Sequence, residues 1–442
     1  MAVTETTRTS WITRLGDSFK GVLTGLAMFI AAFPLLFWNE GRAVATAKAL
    51  AEGESNVVSL PSAAVDQANE GKLIHFTGKA ETQDVLTDSI FGISLTGIRL
   101  ERSVEMYQWA EKTSTHKQKK LGGAEETVTT YSYSKVWASG LIDSSGFKEP
   151  GHDNPTQILV PEDRYYAQNV TVGGFTLDES QIKRIGHSEK YVIPAELKDA
   201  EIPGMTVIRM AGNSGYYLTA AQVSAPAATA VVQAVAGSNT VAAAASAVTN
   251  AAAAVASNVV AAVAGAVPAV PAVAKIGDIK VTFSVVLPHD ISIVGVQTGN
   301  KITSYVAANG KTVYLQNDGT RSAQEMFTSA KQSNKMLTWI LRFVGFMLMY
   351  WGLSAVFKPL SVIGDVIPFV GTIIGMGTGL VAGLISAICT LITIAIAWLF
   401  YRPVIGVILL AVAGALIVLF IQKKKAAKAA AKPEETQPTP AA

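Results

Sequence analysis

Two apolar zones, one near each end, constrain this chain more than any other feature. Gly21 to Trp38 carries no charge, and a second apolar zone opens at Met336 and closes at Gln422, where Lys423, Lys424 and Lys425 follow. An apolar stretch of about 18 or more residues can cross the ~30 Å hydrocarbon core as a helix. The chain is therefore read as an integral membrane α-helical protein whose polar middle is held at the bilayer by both its ends. Composition agrees: 50% of residues are hydrophobic and only 16% are charged, unusual for a soluble chain of this length. A net charge of +3 gives no reason to expect a nucleic-acid partner.

Four spans are predicted: 21–38, 336–357, 371–398 and 403–422, with 359–370 as an interfacial or re-entrant piece. Tyr401-Arg402-Pro403 supplies an aromatic, a cation and a helix-starting proline at the turn between the last two. Lys335, Arg342, Tyr401, Arg402, Lys423, Lys424 and Lys425 are assigned to the membrane interface. For Arg342, inside the second span, two readings stand: a long stem that snorkels to the headgroups, or an ion pair facing the bundle.

Arg8, Arg14 and Lys20 precede the first span, and the basic tail 423–442 follows the last. Positive-inside placement of both clusters requires an even number of crossings, with both termini cytoplasmic and residues 43–334 extracytoplasmic. The membrane is then the inner membrane of a bacterium, or the endoplasmic reticulum or inner nuclear membrane of a eukaryote. A cleavable signal peptide competes for the N-terminus through Ala43-Val44-Ala45, but Trp38, Glu40 and Arg42 argue for an uncleaved anchor.

The extracytoplasmic part reads as α+β. Residues 72–78, 104–109 and 131–137 alternate with period two, as do strands near 277–285, 291–296 and 312–315, the last after an Asn309-Gly310 turn. Residues 111–127 read as a loop. Tyr131, Tyr133 and Trp137 share a face that can pair with Tyr107 and Trp109, as core or as a ligand platform. Ser322 starts a helix that feeds the second span. Within 219–274 Ala and Val dominate, and no charge occurs from Ala211 to Ala274. This is read as a low-complexity insertion, with a self-associating or membrane-surface helix as the alternative.

Gly371, Gly375, Gly379 and Gly383 recur every four residues in the third span. Such small-x-x-x-small repeats let helix backbones approach closely in lipid, within one bundle or between subunits of a homo-oligomer. Chemistry is otherwise sparse. The five histidines are scattered, the single Cys389 lies in an apolar segment, and no nucleophile elbow or phosphate loop is present. His152-Asp153 reads as part of a turn around Asn154-Pro155 rather than as a site. No catalytic residue, metal ligand or cofactor is expected.

Asn39-Glu40-Gly41-Arg42-Ala43, Leu50-Ala51-Glu52-Gly53, Val104-Glu105-Met106-Tyr107-Gln108-Trp109, Tyr131-Ser132-Tyr133 with Trp137, and Gly151-His152-Asp153-Asn154-Pro155 together resemble the transmembrane protein 43 (LUMA) family. Gly277-Asp278 before Val281-Thr282-Phe283-Ser284, Trp339 with Arg342 and Gly345, and Trp398-Leu399-Phe400-Tyr401-Arg402-Pro403 continue the resemblance in the same order. The Ala/Val segment departs from the family pattern, and residues 156–210 match it poorly. The resemblance implies a non-enzymatic protein of the endoplasmic reticulum and inner nuclear envelope that organises protein complexes. The expected function is thus a scaffold whose partners are the lipid bilayer, other membrane proteins and further copies of itself. A channel or transporter component is the alternative, motivated by Arg342, Asp365 and the glycine stripe, and an extracytoplasmic hydrolase comes third.

Overall fold

The computed structural model describes residues 3–220, 270–404 and 408. The Ala/Val insertion lies almost wholly outside the described residues, as do the fourth expected span and the basic tail. Among the described residues, three helices are long and apolar enough to cross a membrane: α1 (Trp11–Asn56), α2 (Ala323–Gly364) and α3 (Pro368–Tyr401). Each overruns its predicted span. At 1.5 Å per residue, α1 is about 69 Å long, more than twice the hydrocarbon thickness, so its polar C-terminal half must continue past the bilayer. Ser10 caps α1 by accepting from the Thr13 amide, and Ser322 and Glu325 form a capping box at the start of α2.

Residues 359–364, expected in a separate interfacial piece, are instead the end of α2, which continues through Pro359. Asp365 to Ile367 form the turn into α3, and Pro368 occupies its first position, where a missing N–H costs nothing.

α1 and α2 pack antiparallel along a small-residue seam. Ser18, Gly25, Ala32 and Asn39 are buried at seven-residue intervals on α1; Thr338, Gly345, Gly352 and Pro359 answer them on α2 at the same interval. A heptad keeps one face turned to the partner along a left-handed crossing. The approach is closest at Gly25 and Gly352: a Cβ on either would stand 2.6 Å from the other's carbonyl oxygen. Leu36 fills the space over Gly345.

The sheet-rich domain is α+β. Nine of its strands carry the argument: β1 (Val3–Thr9), β2 (Leu73–Glu81), β3 (Arg99–Lys119), β4 (Glu125–Ala138), β5 (Met205–Arg209), β6 (Tyr216–Ala220), β7 (Ile279–Val286), β8 (Asp290–Thr298) and β9 (Leu315–Asp318). One sheet runs in the order β1-β4-β3-β7-β6-β5; the other centres on β8, hydrogen-bonded to β2 and β9. Alternate residues of β7 (Ile279, Val281, Phe283, Val285) meet Phe76, Ile291 and Ile293 in the core between the sheets. Arg102, in the core-facing row of β3, is 1% exposed and paired with the fully buried Asp88; its Nε donates to the Pro161 carbonyl at 2.8 Å. Such a charge stays buried because every polar face of it has a partner.

β6 and β7 are neighbours, with Leu218 opposite Ile279. The Ala/Val insertion therefore leaves and re-enters between two adjacent strands.

β3 and β4 form a long ribbon, paired from Met106 opposite Ala138 to Lys119 opposite Glu125. Residues 111–119 and 125–127, expected as loop, belong to it. Their side chains are polar on both faces, so no hydrophobic alternation marks them as strand. Only 120–124 turn, with Gly122 and Gly123 at φ of +85° and +78°, a region that suits glycine. β1 adds a third strand, Val3 opposite Tyr131 and Thr9 opposite Glu125.

The ribbon tip reaches the end of the bundle where α1 begins. Gly122 donates its amide to the Val366 carbonyl at 3.1 Å, Lys119 Nζ meets Asp365 at 2.6 Å, and Arg14 donates to both Asp365 and the Gly123 carbonyl at 2.6 Å. The predicted topology keeps residues 1–20 and 43–334 on opposite sides of a bilayer lying across Gly21–Trp38. A polar ribbon with open edges does not cross hydrocarbon unshielded, so that topology and this junction are compatible only if protein screens the ribbon from lipid.

Candidate functional site: a polar clasp among three membrane helices

Charge inside the bundle concentrates where the helices meet the domain. Glu40 on α1 is fully buried and receives Arg342 of α2 through both oxygens, Nε to Oε1 at 2.6 Å and Nη2 to Oε2 at 2.9 Å. Trp398 of α3 donates its indole N–H to the same carboxylate at 2.8 Å. One carboxylate thus ties all three helices. The fork-on-fork geometry is the strongest hydrogen-bonded form an ion pair takes. The Arg342 guanidinium also lies 4.8 Å from the Trp339 ring and 5.7 Å from that of Trp398, a favourable cation–π setting. Of the two readings of Arg342, the ion pair is the one found.

A second polar layer, built on Arg42, sits beside the carboxylate. Arg42 donates to Asn334, Asn39 and Thr338 at 3.0–3.2 Å, Asn39 donates to the Thr338 carbonyl, and Asn334 to that of Ala43. Arg42 Nε is buried without a partner among the described residues. Beyond the clasp, α1 and α2 run on into the domain. Phe327, fully buried, rests against Gly53 with Leu50, Leu73 and Val294 around it, and Lys331 pairs with Glu54. Burying one such phenylalanine contributes about 1.5–3 kcal/mol.

The other predicted residues fall as follows. Lys335, Tyr401 and Arg402 lie around the clasp, and Tyr401 covers Gly41; Lys423, Lys424 and Lys425 lie outside the described residues. Asp365 is held by Arg14 and Lys119 at the other end of the bundle. A Cβ on Gly371 would collide with Asp365, and one on Gly375 would stand 3.0 Å from Ser361 Oγ. At Gly379 and Gly383 the nearest atoms, both of Tyr350, are 3.7 Å away, ordinary contact. A four-residue repeat turns about 40° per step on a 3.6-residue helix, so the stripe rotates off the contact. Ala382, Ser386, Thr390 and Ala397 carry the buried row onward.

His152 stacks on Tyr133 at 4.0 Å and meets Trp109 edge-on at 4.5 Å. Asn154 exchanges hydrogen bonds with the Trp109 backbone at 2.7 and 2.9 Å, which binds the turn to β3. The aromatic face is half-buried beneath this turn rather than in the core, with Tyr107 and Trp137 paired at 5.1 Å. Ser59 and His75 lie 3.3 Å apart, but the second ring nitrogen of His75 faces the Arg321 carbonyl rather than an acid. No group of three metal-ligating side chains occurs among the described residues.

Sequence reasoning missed Glu40 and the heptad seam. In the sequence Glu40 bears only on the uncleaved anchor and the family motif, although a lone acid at the end of one span and a lone Arg within another signal a pair. The seam was legible as small residues every seven positions, Thr338-Gly345-Gly352 most clearly.

Helices of this length and composition, joined through a buried charged clasp to a domain of two sheets, define an integral membrane protein with a large extramembranous domain. Comparison places it more closely. The family profile described as Transmembrane protein 43 matches residues 106–403, and the chain belongs to that family. Transmembrane protein 43 of Rattus norvegicus is 30% identical over 91% of this chain and 89% of its own length; that of Homo sapiens is 30% identical over 89% and 87%. The Drosophila melanogaster homolog is 26% identical over 92% and 94%. No solved structure matches.

Proposed function

We propose that this protein is a non-enzymatic scaffold, a rigid platform that organises other membrane proteins at the bilayer. The observation that carries the reading is helix continuity. α1 and α2 pass without a break from their apolar stretches into the domain, locked by Glu40–Arg342 at the boundary and by Phe327 and Lys331 beyond it. A domain so coupled holds its surfaces at a fixed height and angle to the membrane, which suits an organiser of neighbouring proteins. Arg342 and Asp365, which motivate a channel reading, are each engaged in ion pairs, and this supports a structural use of both charges.

The test is crosslinking in native membranes, followed by purification of the full chain in mild detergent. Discrete membrane proteins at reproducible stoichiometry are expected, and their loss is expected in Arg342→Ala, which unties the platform. A chain that purifies alone, or that conducts ions in liposomes with conductance lost in Arg342→Ala, would overturn the reading.

A further inference from the structure

We propose that the clasp region binds one anionic phospholipid, its phosphate between Lys335 and Arg402 and an acyl chain in the groove between α2 and α3. Two adjoining hollows carry the inference. The first, about 480 Å³, opens at the domain end of the bundle and is lined by Lys331, Lys335, Arg342 and Arg402 with Trp339 and Trp398. The second, about 450 Å³, descends between α2 and α3 along Phe343, Phe346, Leu391 and Ile394. Trp339, Arg342 and Trp398 line both, so the hollow with cations at its rim continues directly into the groove. That sequence of chemistry, cations, then indoles, then aliphatic and phenyl side chains, matches a phospholipid from headgroup to tail.

Charge selects the headgroup. Lys331 is neutralised by Glu54 and Arg342 by Glu40, whereas no carboxylate among the described residues pairs with Lys335 or Arg402. Arg42, behind the hollow, contacts only neutral oxygens. The local balance is positive, which favours an anionic over a zwitterionic headgroup by direct charge attraction. Arg402 also lies 5.8 Å from the Trp398 ring, which holds its guanidinium at the rim, and the indoles suit the headgroup level of a bilayer.

The test is thermal unfolding of the delipidated full chain, titrated with dioleoyl phosphatidylglycerol, dioleoyl phosphatidylcholine or inorganic phosphate. Saturable stabilisation by the glycerol lipid alone is expected. Lys335→Gln with Arg402→Gln should weaken its apparent affinity roughly 30-fold, the size expected for two basic side chains at an anionic headgroup, measured as the lipid-induced shift from the variant's own lipid-free melt. Leu391→Trp, which fills the groove, should weaken it as well. Equal responses to the two lipids, or an unchanged affinity in the double variant, would overturn the proposal. Stabilisation by phosphate equal to that by lipid would show a soluble-anion site and overturn it too. So would a wild type that ignores lipid while a chain ending at Val404 responds, because the chain's own C-terminal segment would then fill the groove.

Discussion

Glu40 and Arg342, 302 residues apart in the sequence, meet through two hydrogen bonds of 2.6 and 2.9 Å where three membrane helices leave the bilayer, and Trp398 completes the contact. Removing one partner of a buried pair leaves the other charge unpaired, which costs about 3–5 kcal/mol. Arg342→Ala and Glu40→Ala should each lower the unfolding midpoint in detergent by that equivalent. Glu40→Gln keeps one acceptor oxygen, enough for Trp398 and Arg342 Nη2 but not for Arg342 Nε, and should lose less. Equal losses for Gln and Ala at position 40 would show that the charge, not the shape or the retained acceptor, carries the contact.

Close helix approach supplies a second prediction. A side chain at Gly352 meets the Gly25 carbonyl and the Phe29 backbone within 3.1 Å, while one at Gly379 finds its nearest neighbour at 3.7 Å. Gly352→Ala should therefore destabilise the bundle by more than 1 kcal/mol or so, the lower range for overpacking, and Gly379→Ala should be near neutral. Thermal melts of the two variants side by side decide it; the reverse order would mean that the α3 stripe, not the α1–α2 seam, is the tight contact.

The insertion gives a third. Its ends leave and rejoin the sheet at neighbouring strands, Leu218 opposite Ile279. Replacing residues 222–272 by a short Gly/Ser linker shortens the connection between two adjacent strands, and loop entropy changes slowly with length. The variant should insert into membranes and melt within a few degrees of wild type by differential scanning fluorimetry. Aggregation would show that the segment completes the core.

A fourth concerns the ribbon tip. Leu121 and Val366 flank the Gly122–Val366 hydrogen bond, so Leu121→Cys with Val366→Cys, in a Cys389→Ala background, should form a disulfide in native membranes. Its formation requires protein to shield the ribbon from lipid. If no disulfide forms and Ser114→Cys labels from the side opposite Thr6→Cys, the topology predicted from the basic termini stands and the junction is absent in the bilayer.

Much of this architecture is visible in the chain because its signals are local. Apolar length marks α1, α2 and α3, period-two patterning marks β2, β7 and β8, and Ser322 with Glu325 marks a helix start. What escaped is what only assembly creates. The 111–127 stretch lacks an apolar face, so its strands are set by pairing rather than by burial. Glu40 needs Arg342 and Trp398 to become a site, and neither is near it in sequence. The glycine stripe was visible, yet its four-residue period drifts off the contact, while the quieter seven-residue row of small residues made the closer one.

The most direct measurement of the rigid-platform account is a spin-label distance distribution across the clasp. Labels at Leu23, 74% exposed on the apolar part of α1, and at Lys79, at the exposed end of β2, report membrane anchor against domain in a Cys389→Ala chain reconstituted in nanodiscs. The account predicts one narrow distance peak in wild type that broadens in Arg342→Ala. A broad or multimodal distribution in the wild type would show a domain swinging freely on its helices, and would contradict it.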